Sequence, residues 1–415
     1  MSLQVYLKNQ KNKVKKLFII LLLVSISIFL ILNKIGTINN HKSLTTKPIN
    51  SSMTTTKSGK VNIKSNGRIL FDKQPFFPFG FYHVSWESTA QERKLALRDI
   101  AAAGFNTIHA SATNLDDYGE FLDEAERLGV YVISEQNIGL LNLINAFKHK
   151  PAVLGWSIVD DVDNGVLTPQ EVLELYQQAK LADPNHITYI SGYTDKIGEF
   201  GNYADVVAMQ SYPIGSKDED INVDDEISLI YDQISIARNA VSPKKAIYAN
   251  LQVFDWGIQK PENPKFKEGT RTPTFEEVRN MTYQSILAGA KGIIYYTYHD
   301  EVWHLPSVKP ELWKKMKSLV PEIKTLSPFL LEGELKIIDT GVEKVIAGTW
   351  TYENQSLIIA VNRSQKRQEV SVTIPGNFSQ IKPQFDNDSD NLKLNDNYLS
   401  GFLKPLDVKI YQATK

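Results

Sequence analysis

Short apolar runs alternate with longer amphipathic stretches between residues 76 and 326. Apolar runs bounded by Gly, Pro or acidic residues predict buried strands, whereas apolar positions repeated every three or four residues predict helices. The predicted strands are 76–83, 105–109, 130–134, 153–159, 187–191, 206–210, 246–251 and 292–298. The predicted helices are 90–103, 115–128, 140–147, 169–181, 196–203, 225–240, 275–288 and 311–326.

The strict alternation of these elements predicts an α/β fold. Strands separated by helices imply right-handed crossovers and a parallel sheet. Eight such units fit a closed (β/α)8 TIM barrel, which we place at residues 61–333 together with a hairpin that turns at Asn66-Gly67. A doubly wound open sheet is the alternative, but no Gly-x-Gly-x-x-Gly segment follows any strand.

The pattern of apolar and polar residues changes after Gly333. Short segments with alternating apolar and polar residues follow one another, separated by turns such as Pro375-Gly376. This spacing is typical of antiparallel sheets. We predict a small, sandwich-like β-domain at residues 334–415.

The N-terminus has the pattern of a signal sequence. An uncharged apolar run, residues 17–32, follows Lys8, Lys11, Lys13, Lys15 and Lys16. The run is nearly long enough to cross a bilayer, and no small-x-small cleavage site follows it. We predict a single-pass transmembrane signal anchor at residues 1–35 that leaves the rest outside the cytoplasm. A cleaved signal peptide, and hence a secreted protein, is the alternative.

Residues 36–60 are rich in Ser, Thr, Lys and Asn and poor in large apolar residues. Such a segment cannot bury enough surface to offset its ordering entropy, so we predict a disordered tether.

Composition excludes several classes of function. A formal net charge of -1 argues against a nucleic-acid partner, because phosphate binding needs a basic surplus. The absence of cysteine excludes disulfides, thiolate nucleophiles and cysteine-based zinc sites. The histidines are isolated in sequence, so a metal site would need the fold to bring them together. There is neither a phosphate loop nor a Gly-x-Ser-x-Gly elbow. We expect no metal and no cofactor.

The residues at the predicted strand ends have a common chemical character. Functional residues of a barrel lie where its strands stop. Here those positions hold aromatic rings, which stack on sugar faces, and amides, acids and histidines, which bind hydroxyl groups. The candidate substrate-binding residues are His83, Trp86, His109, Tyr193, Gln210, Tyr212, Gln252, Trp256, Tyr296, Tyr298 and His299.

Several of these positions also have a purely structural interpretation. His109 is then a barrel-interior histidine, Tyr212 a packing residue, and Trp256 the core of a loop. Asp300 and Glu301 are then a solvated loop.

Three acids, Asp160, Asp161 and Asp163, end the fourth predicted strand. Desolvated carboxylates of like charge repel one another, so a fold seldom gathers them without a use. The alternative is that Asp161 and Asp163 only cap the helix that starts near Thr168.

The segment from Trp156 to Asp163 resembles the Trp-x-x-x-Asp-Glu-Pro-Asp motif at strand four of barrel glycoside hydrolases. Segments 66–67, 78–80, 207–213, 251–254 and 281–292 are similar to parts of the same group. The resemblance covers residues 61–326, and a C-terminal β-domain is common there. It implies a carbohydrate substrate and cleavage of an O-glycosidic bond.

The sequence departs from that group in three positions. Asp161 stands where the motif has the acid/base glutamate, and Val162 stands where it has proline. Strand seven ends in Gln252, without the glutamate that serves as nucleophile in the large retaining clan. The Asp161 carboxyl reaches about 1.5 Å less far than a glutamate, and a misplacement of about 1 Å can cost roughly 10²-fold in rate.

The resemblance makes Asp161 the expected proton donor, with Asp160 beside it to raise the pKa of one of the pair. Asp255 and Glu135 are the candidates for the second carboxylate that hydrolysis normally needs. A substrate-assisted mechanism, in which an acetamido group of the sugar attacks, would need only the adjacent pair. A barrel that binds glycan without catalysis is the alternative function.

Overall fold

The computed structural model describes residues 59–414 apart from 87, 216–225, 264–265, 267–268, 377, 379, 386–391 and 396. Three short antiparallel strands come first: β1 (Val61–Ile63), β2 (Ile69–Phe71) and β3 (Gln74–Pro75). Eight parallel strands follow, and they close into a barrel because the last pairs with both the first and the seventh. They are β4 (Phe79–His83), β5 (Thr107–Ser111), β6 (Tyr131–Glu135), β7 (Val153–Val159), β8 (Ile187–Gly192), β9 (Val206–Ser211), β10 (Ala246–Gln252) and β11 (Gly292–Asp300).

Helices connect the barrel strands and surround them. In the described part of the chain they are α1 (Ala90–Ala102), α2 (Leu115–Leu128), α3 (Leu140–Phe147), α4 (Pro169–Ala182), α5 (Ile197–Phe200), α6 (Leu229–Ala240), α7 (Trp256–Gln259), α8 (Phe275–Leu287), α9 (Leu305–Val308), α10 (Pro310–Met316) and α11 (Leu319–Glu332). Thr89, Thr168 and Thr274 each open a helix with a capping box completed by a glutamate three residues later. These caps satisfy backbone amides that a helix leaves free at its start.

The predicted barrel is confirmed, although several element bounds differ from the sequence prediction, and two of these differences have a clear structural reason. Strand β5 starts at Thr107 rather than at residue 105, because the Asn106 side chain holds the preceding turn through hydrogen bonds with Phe79 N and Phe77 O. The predicted helix 311–326 is two helices, since α10 ends before Lys317 and α11 continues beyond it. The break lets both helices bury their own apolar faces.

Two apolar layers stabilise the barrel. The larger fills the space between the strands and the surrounding helices. The smaller lies inside the barrel, where Ile187, Val206 and Ala246 pack with Val61 and Phe71 of the N-terminal strands. The hairpin therefore closes the amino end of the barrel and leaves the carboxyl end open for side chains that carry chemistry.

The C-terminal part forms antiparallel sheets, as predicted. Its strands, after the short β12 (Trp303–His304), are β13 (Glu334–Ile338), β14 (Val345–Tyr352), β15 (Gln355–Asn362), β16 (Gln368–Thr373), β17 (Gln380–Pro383), β18 (Leu392–Asn395), β19 (Tyr398–Leu403) and β20 (Val408–Thr414). They form a five-stranded sheet in the order β13-β14-β15-β20-β17 and a three-stranded sheet in the order β16-β19-β18. Trp350 and Leu357 on one face belong to the core of the barrel helices, whereas Ile358 on the other packs with Val370 of the second sheet.

The buried side chain of Asn280 ties the barrel to these sheets. Its Nδ2 donates hydrogen bonds of 2.9 Å to the carbonyl oxygens of Asn362 and Leu406.

The predicted signal anchor, residues 1–35, lies outside the described residues, as does the predicted tether up to residue 58. Within the described residues, no helix combines the length and the apolar character that crossing a bilayer requires.

Candidate active site

Polar side chains from neighbouring strands meet at the carboxyl end of the barrel. They contact one another across several strand ends, so they must point inward from the sheet. The side chains that meet are Tyr82, Ser111, Glu135, Asp160, Asp161, Ser191 and Gln210. We call Glu135, Asp160 and Asp161 the carboxyl cluster.

Glu135 ends β6 and is only 7% exposed. Its Oε2 accepts a hydrogen bond of 2.5 Å from Ser111 Oγ, on the neighbouring strand. Burial, and then the nearby Asp160 carboxylate, raise the pKa of Glu135 to about 7. A carboxyl group in this environment retains its proton at near-neutral pH.

Asp160 follows β7 directly and lies between the two other acids. Its Oδ1 accepts hydrogen bonds from Ser191 Oγ and, at 3.1 Å, from Gln210 Nε2. The Tyr82 hydroxyl donates to its Oδ2 at 3.4 Å and also interacts with Glu135. Burial, and then the adjacent Asp161, raise the pKa of Asp160 to about 6.

Asp161 has a left-handed backbone, with φ of 50°. This conformation is costly for most residues other than glycine, and such strain is concentrated at functional sites. The turn brings its Oδ1 within 2.7 Å of Gln210 Nε2, the nitrogen that also binds Asp160. Burial raises the pKa of Asp161, and the bond from Gln210 opposes that increase.

The alternative prediction, that Asp161 and Asp163 cap the following helix, is wrong. Thr168 is the residue that caps α4. Asp163 instead stabilises a loop, because its carboxylate accepts hydrogen bonds from the backbone amides of Tyr193 and Thr194 and from the Thr194 hydroxyl. These bonds fix the loop after β8 beside the cluster.

Aromatic rings surround the cluster. The ring centroid of Tyr296 lies 5.1 Å from that of Tyr82 and 5.4 Å from that of Tyr212. Trp86 and Tyr193 are 41% and 46% exposed, so their rings are available to a ligand. Trp256 donates from Nε1 to the Tyr212 carbonyl oxygen, at 3.2 Å, and supports that loop.

His109 lies deeper in the barrel than the sequence predicts. Because β5 ends at Ser111, His109 is inside the strand and fully buried, with its ring 4.1 Å from that of Tyr82. Burial lowers its pKa to about 3, so it is neutral.

Asp255 lies apart from the carboxyl cluster. Its carboxylate caps α7 by accepting a 2.9 Å hydrogen bond from Gly257 N. In the part of the chain that the structure describes, no hydrogen bond or ion pair links it to the cluster. Of the two candidates for the second carboxylate, the structure thus brings Glu135 to the cluster and not Asp255.

Among the described residues, no hydrogen bond links the carboxyl cluster to Gln252 or to three residues near the ends of β4 and β11. Gln252 is fully buried, and its amide binds the backbone of Ile214. Tyr298 points outward and donates to Asp99 at 2.9 Å. His83 and His299 stack on each other with centroids 4.9 Å apart.

Sequence reasoning missed Tyr82, Ser111 and Ser191 and did not include Asp300 among the candidate residues. Phe79 and Phe81 pack outward against the helices, so strand alternation could have placed Tyr82 inward. Asp300 does not belong to a solvated loop, since it is 7% exposed and accepts a 2.5 Å hydrogen bond from the Tyr296 hydroxyl. Burial raises its pKa as well.

The arrangement favours proton transfer by carboxyl groups. One member of the cluster can remain protonated near neutral pH while another is ionised, as acid/base catalysis requires. No group of three or more His, Cys, Asp or Glu side chains suited to a metal ion occurs among the described residues.

Comparison with solved structures identifies the fold. A structure described as a glycoside hydrolase has a TM-score of 0.59 and 15% identity to this chain, and the match covers 86% of this chain and 97% of that one. The chain shares the barrel fold of that structure. A maltogenic α-amylase from Thermotoga neapolitana has a TM-score of 0.56 and 12% identity, over 81% of this chain and 98% of its own.

An α-amylase from Geobacillus thermoleovorans, solved with acarbose, has a TM-score of 0.54 and 11% identity over 82% of this chain and 98% of its own. No protein-family model and no curated protein matches the sequence.

Proposed function

We propose that this protein hydrolyses an O-glycosidic bond in an oligo- or polysaccharide. The observation that carries the proposal is the carboxyl cluster, three acids held together at the carboxyl end of a barrel with the glycoside hydrolase fold. Glycoside hydrolysis needs one carboxyl group that gives a proton and one that stays ionised. The cluster offers both.

Glu135 and Asp160 are the proton-holding pair, because their pKa values of about 7 and about 6 are the ones raised to near neutrality. The proton passes to the glycosidic oxygen, which keeps the electron pair as its bond to the anomeric carbon breaks. Asp161, whose charged form Gln210 stabilises, faces the positive charge that develops on the sugar. Water then adds to the anomeric carbon and returns a proton to the cluster. This assignment reverses the role of proton donor that the sequence suggested for Asp161.

The aromatic surroundings support a sugar substrate. Tyr82, Tyr212 and Tyr296 form a wall beside the acids, and Trp86 and Tyr193 expose ring faces. The exposed rings of Trp86 and Tyr193 can stack on the apolar faces of sugar rings while the acids and Gln210 bind hydroxyl groups.

The test is hydrolysis of a glycan library by the full chain, followed as new reducing ends. Asp161→Asn and Glu135→Gln should each lower kcat/KM by at least about 100-fold, the usual contribution of a catalytic acid or base. The matched control is Asp195→Asn, which removes an exposed carboxylate of the loop after β8. Equal turnover by all four proteins would overturn the proposal.

Glycan binding without hydrolysis is the second candidate, and Gln252 favours it. This residue ends β10 with an amide that is occupied by the backbone of Ile214 and Phe254, so this strand end supplies no carboxylate. Calorimetric binding of an oligosaccharide that the protein never cleaves would select this function.

We further propose that the protein acts outside the cytoplasm, held by residues 1–35 or released by their cleavage. The support is the sequence pattern alone, five lysines followed by the apolar run at residues 17–32. Membrane fractionation with an alkaline wash, combined with protease accessibility in intact cells, tests this. Recovery of the full-length chain in the cytoplasm would contradict it.

A further inference from the structure

A groove of about 450 Å³ opens beside the N-terminal hairpin, at the end of the barrel opposite the carboxyl cluster. Its walls come from β1, the end of α4 and the loops that lead into β8, β9 and β10. A volume of this size is typical of small-molecule sites. The polar side chains among its lining residues include Lys180, His186, Asn202, Ser242, Lys244 and Lys245.

The groove has a surplus of positive charge. Asp205 is its one carboxylate among the described residues, and Asp205 Oδ2 already binds Lys180 Nζ at 3.0 Å and Thr188 N at 3.0 Å. Elsewhere in the described part of the chain, no carboxylate comes within ion-pair distance of Lys244 or Lys245. Neither ammonium group forms an ion pair among the described residues, although the Asp205 carboxylate attracts that of Lys245.

Lys245 is held in the groove rather than extended into solvent. It is half-buried, and its Nζ lies 5.2 Å from the ring centroid of Tyr176. Burial lowers the pKa of Lys245, since a desolvated ammonium group is costly, and the Asp205 carboxylate offsets only part of this decrease. An anion bound in the groove would remove this cost.

Two further lysines belong to segments that adjoin elements of the groove. Lys60 is exposed and precedes Val61, whose amide donates to Asn185 O at 2.8 Å. Lys148 is exposed as well, and its Nζ donates to Ala182 O at 3.0 Å, at the end of α4. This concentration of charge is local, because the whole chain has a net charge of -1.

We propose that this groove binds a phosphate-bearing ligand. Two neighbouring ammonium groups match the double charge of a phosphate monoester, and Lys is a common point-charge ligand for phosphate. Asn202 and Ser242 add neutral hydrogen-bond donors. The groove has more room than a phosphate ion needs, which leaves space for a sugar, glycerol or lipid headgroup attached to it. The site is independent of the proposed hydrolysis.

The experiment is calorimetric titration of the full chain in a neutral detergent with inorganic phosphate, glycerol 3-phosphate and two soluble short-chain lipids. The lipids are dihexanoyl phosphatidylglycerol, which is anionic, and dihexanoyl phosphatidylcholine, which is zwitterionic. Chloride at equal ionic strength controls for screening. We expect saturable binding of at least one phosphate probe. If phosphatidylglycerol binds more tightly than glycerol 3-phosphate, the ligand of the groove is a lipid headgroup. If the order is reversed, the ligand is a free phosphate ester.

Variants link the binding to the groove. The double substitution Lys244→Gln with Lys245→Gln should weaken affinity at least tenfold, and Lys244→Arg with Lys245→Arg should retain it because the charges remain. Lys314→Gln with Lys336→Gln, two exposed lysines elsewhere, is the matched control and should bind as the natural protein does. The proposal is overturned if no phosphate probe binds saturably, or if the glutamine pair at the groove leaves the affinity unchanged.

Discussion

Gln210 Nε2 donates a hydrogen bond of 2.7 Å to Asp161 Oδ1. Burial raises the pKa of Asp161, and this bond is the strongest influence in the opposite direction. Gln210 thus favours the ionised form of Asp161, the acid that has the left-handed backbone.

Replacing Gln210 should therefore change the pH dependence of catalysis as well as its rate. In Gln210→Leu the ionised form of Asp161 loses a donor, so its pKa rises and it becomes charged only at higher pH. We expect the acidic limb of the kcat/KM profile to move to higher pH, with a larger loss of activity at pH 5 than at pH 7. Gln170→Leu, at an exposed position of α4, is the control. An equal loss at every pH would indicate a structural effect only.

Glu135 should make the protein less stable as the pH rises. Its pKa increases from 4.5 in the unfolded chain to about 7 in the fold, so the folded state holds the proton more tightly. The contribution of Glu135 to the free energy of unfolding is then largest below pH 4.5. It decreases by about 3 kcal/mol in all as the pH rises through 7, and it is constant at higher pH. Glu135→Gln cannot titrate and should gain about this much relative to the natural protein between pH 4.5 and pH 8. Urea unfolding at both pH values measures the gain, and parallel stability curves would refute the prediction.

Asp163 should matter for stability rather than for chemistry. Its carboxylate accepts hydrogen bonds from Tyr193 N at 3.1 Å, Thr194 N at 2.6 Å and Thr194 Oγ1 at 2.8 Å. Asp163→Ala leaves these donors without their acceptor, and we expect a loss of about 2–4 kcal/mol. Thr194→Val removes only the hydroxyl and should lose about 1 kcal/mol. Denaturant midpoints measure both, and an Asp163→Ala loss no larger than that of Thr194→Val would contradict this role.

Asn280 should couple the barrel to the C-terminal sheets. Its Nδ2 is buried and serves the carbonyl oxygens of both Asn362 and Leu406. Asn280→Ala leaves two carbonyl groups unpaired, so the expected loss of stability is about 2–3 kcal/mol. Limited proteolysis should then cut the C-terminal strands sooner than in the natural protein. Asn142→Ala, an exposed position in α3, should leave the digestion pattern unchanged.

The fold was largely predictable because its boundaries are marked by local chemistry. Helix α2 begins and ends at the predicted residues, since the Asn114 side chain caps its start and Gly129 takes a φ of 70° at its end. Strand β7 also matches, because its apolar run ends in three acids. The start of β5 depends on the contacts of Asn106 with a distant strand, which no local pattern reveals.

The sequence predicted where along the strands the candidate site lies, but not which side chains point into the barrel. Strand ends led to Glu135, Asp160 and Gln210, which the structure brings together. A strand end alone does not distinguish inward Tyr82 from outward Tyr298, whereas the alternation of side chains along β4 does place Tyr82 opposite to Phe81. Asp300 was not a candidate because only the closed barrel shows that its carboxyl group is buried beside Tyr296, four residues earlier on the same strand.

The closure of the barrel has a consequence for biosynthesis. β4 and β11 pair directly, Phe79 with Ile293 and Phe81 with Tyr295, although they lie at opposite ends of the barrel sequence. During synthesis, the edge of β4 that will pair with β11 therefore remains unpaired until this last barrel strand has been made. Unpaired strand edges are templates for other chains. A nascent chain that stops before Gly292 would expose β4 and β10 together and associate with its neighbours through them.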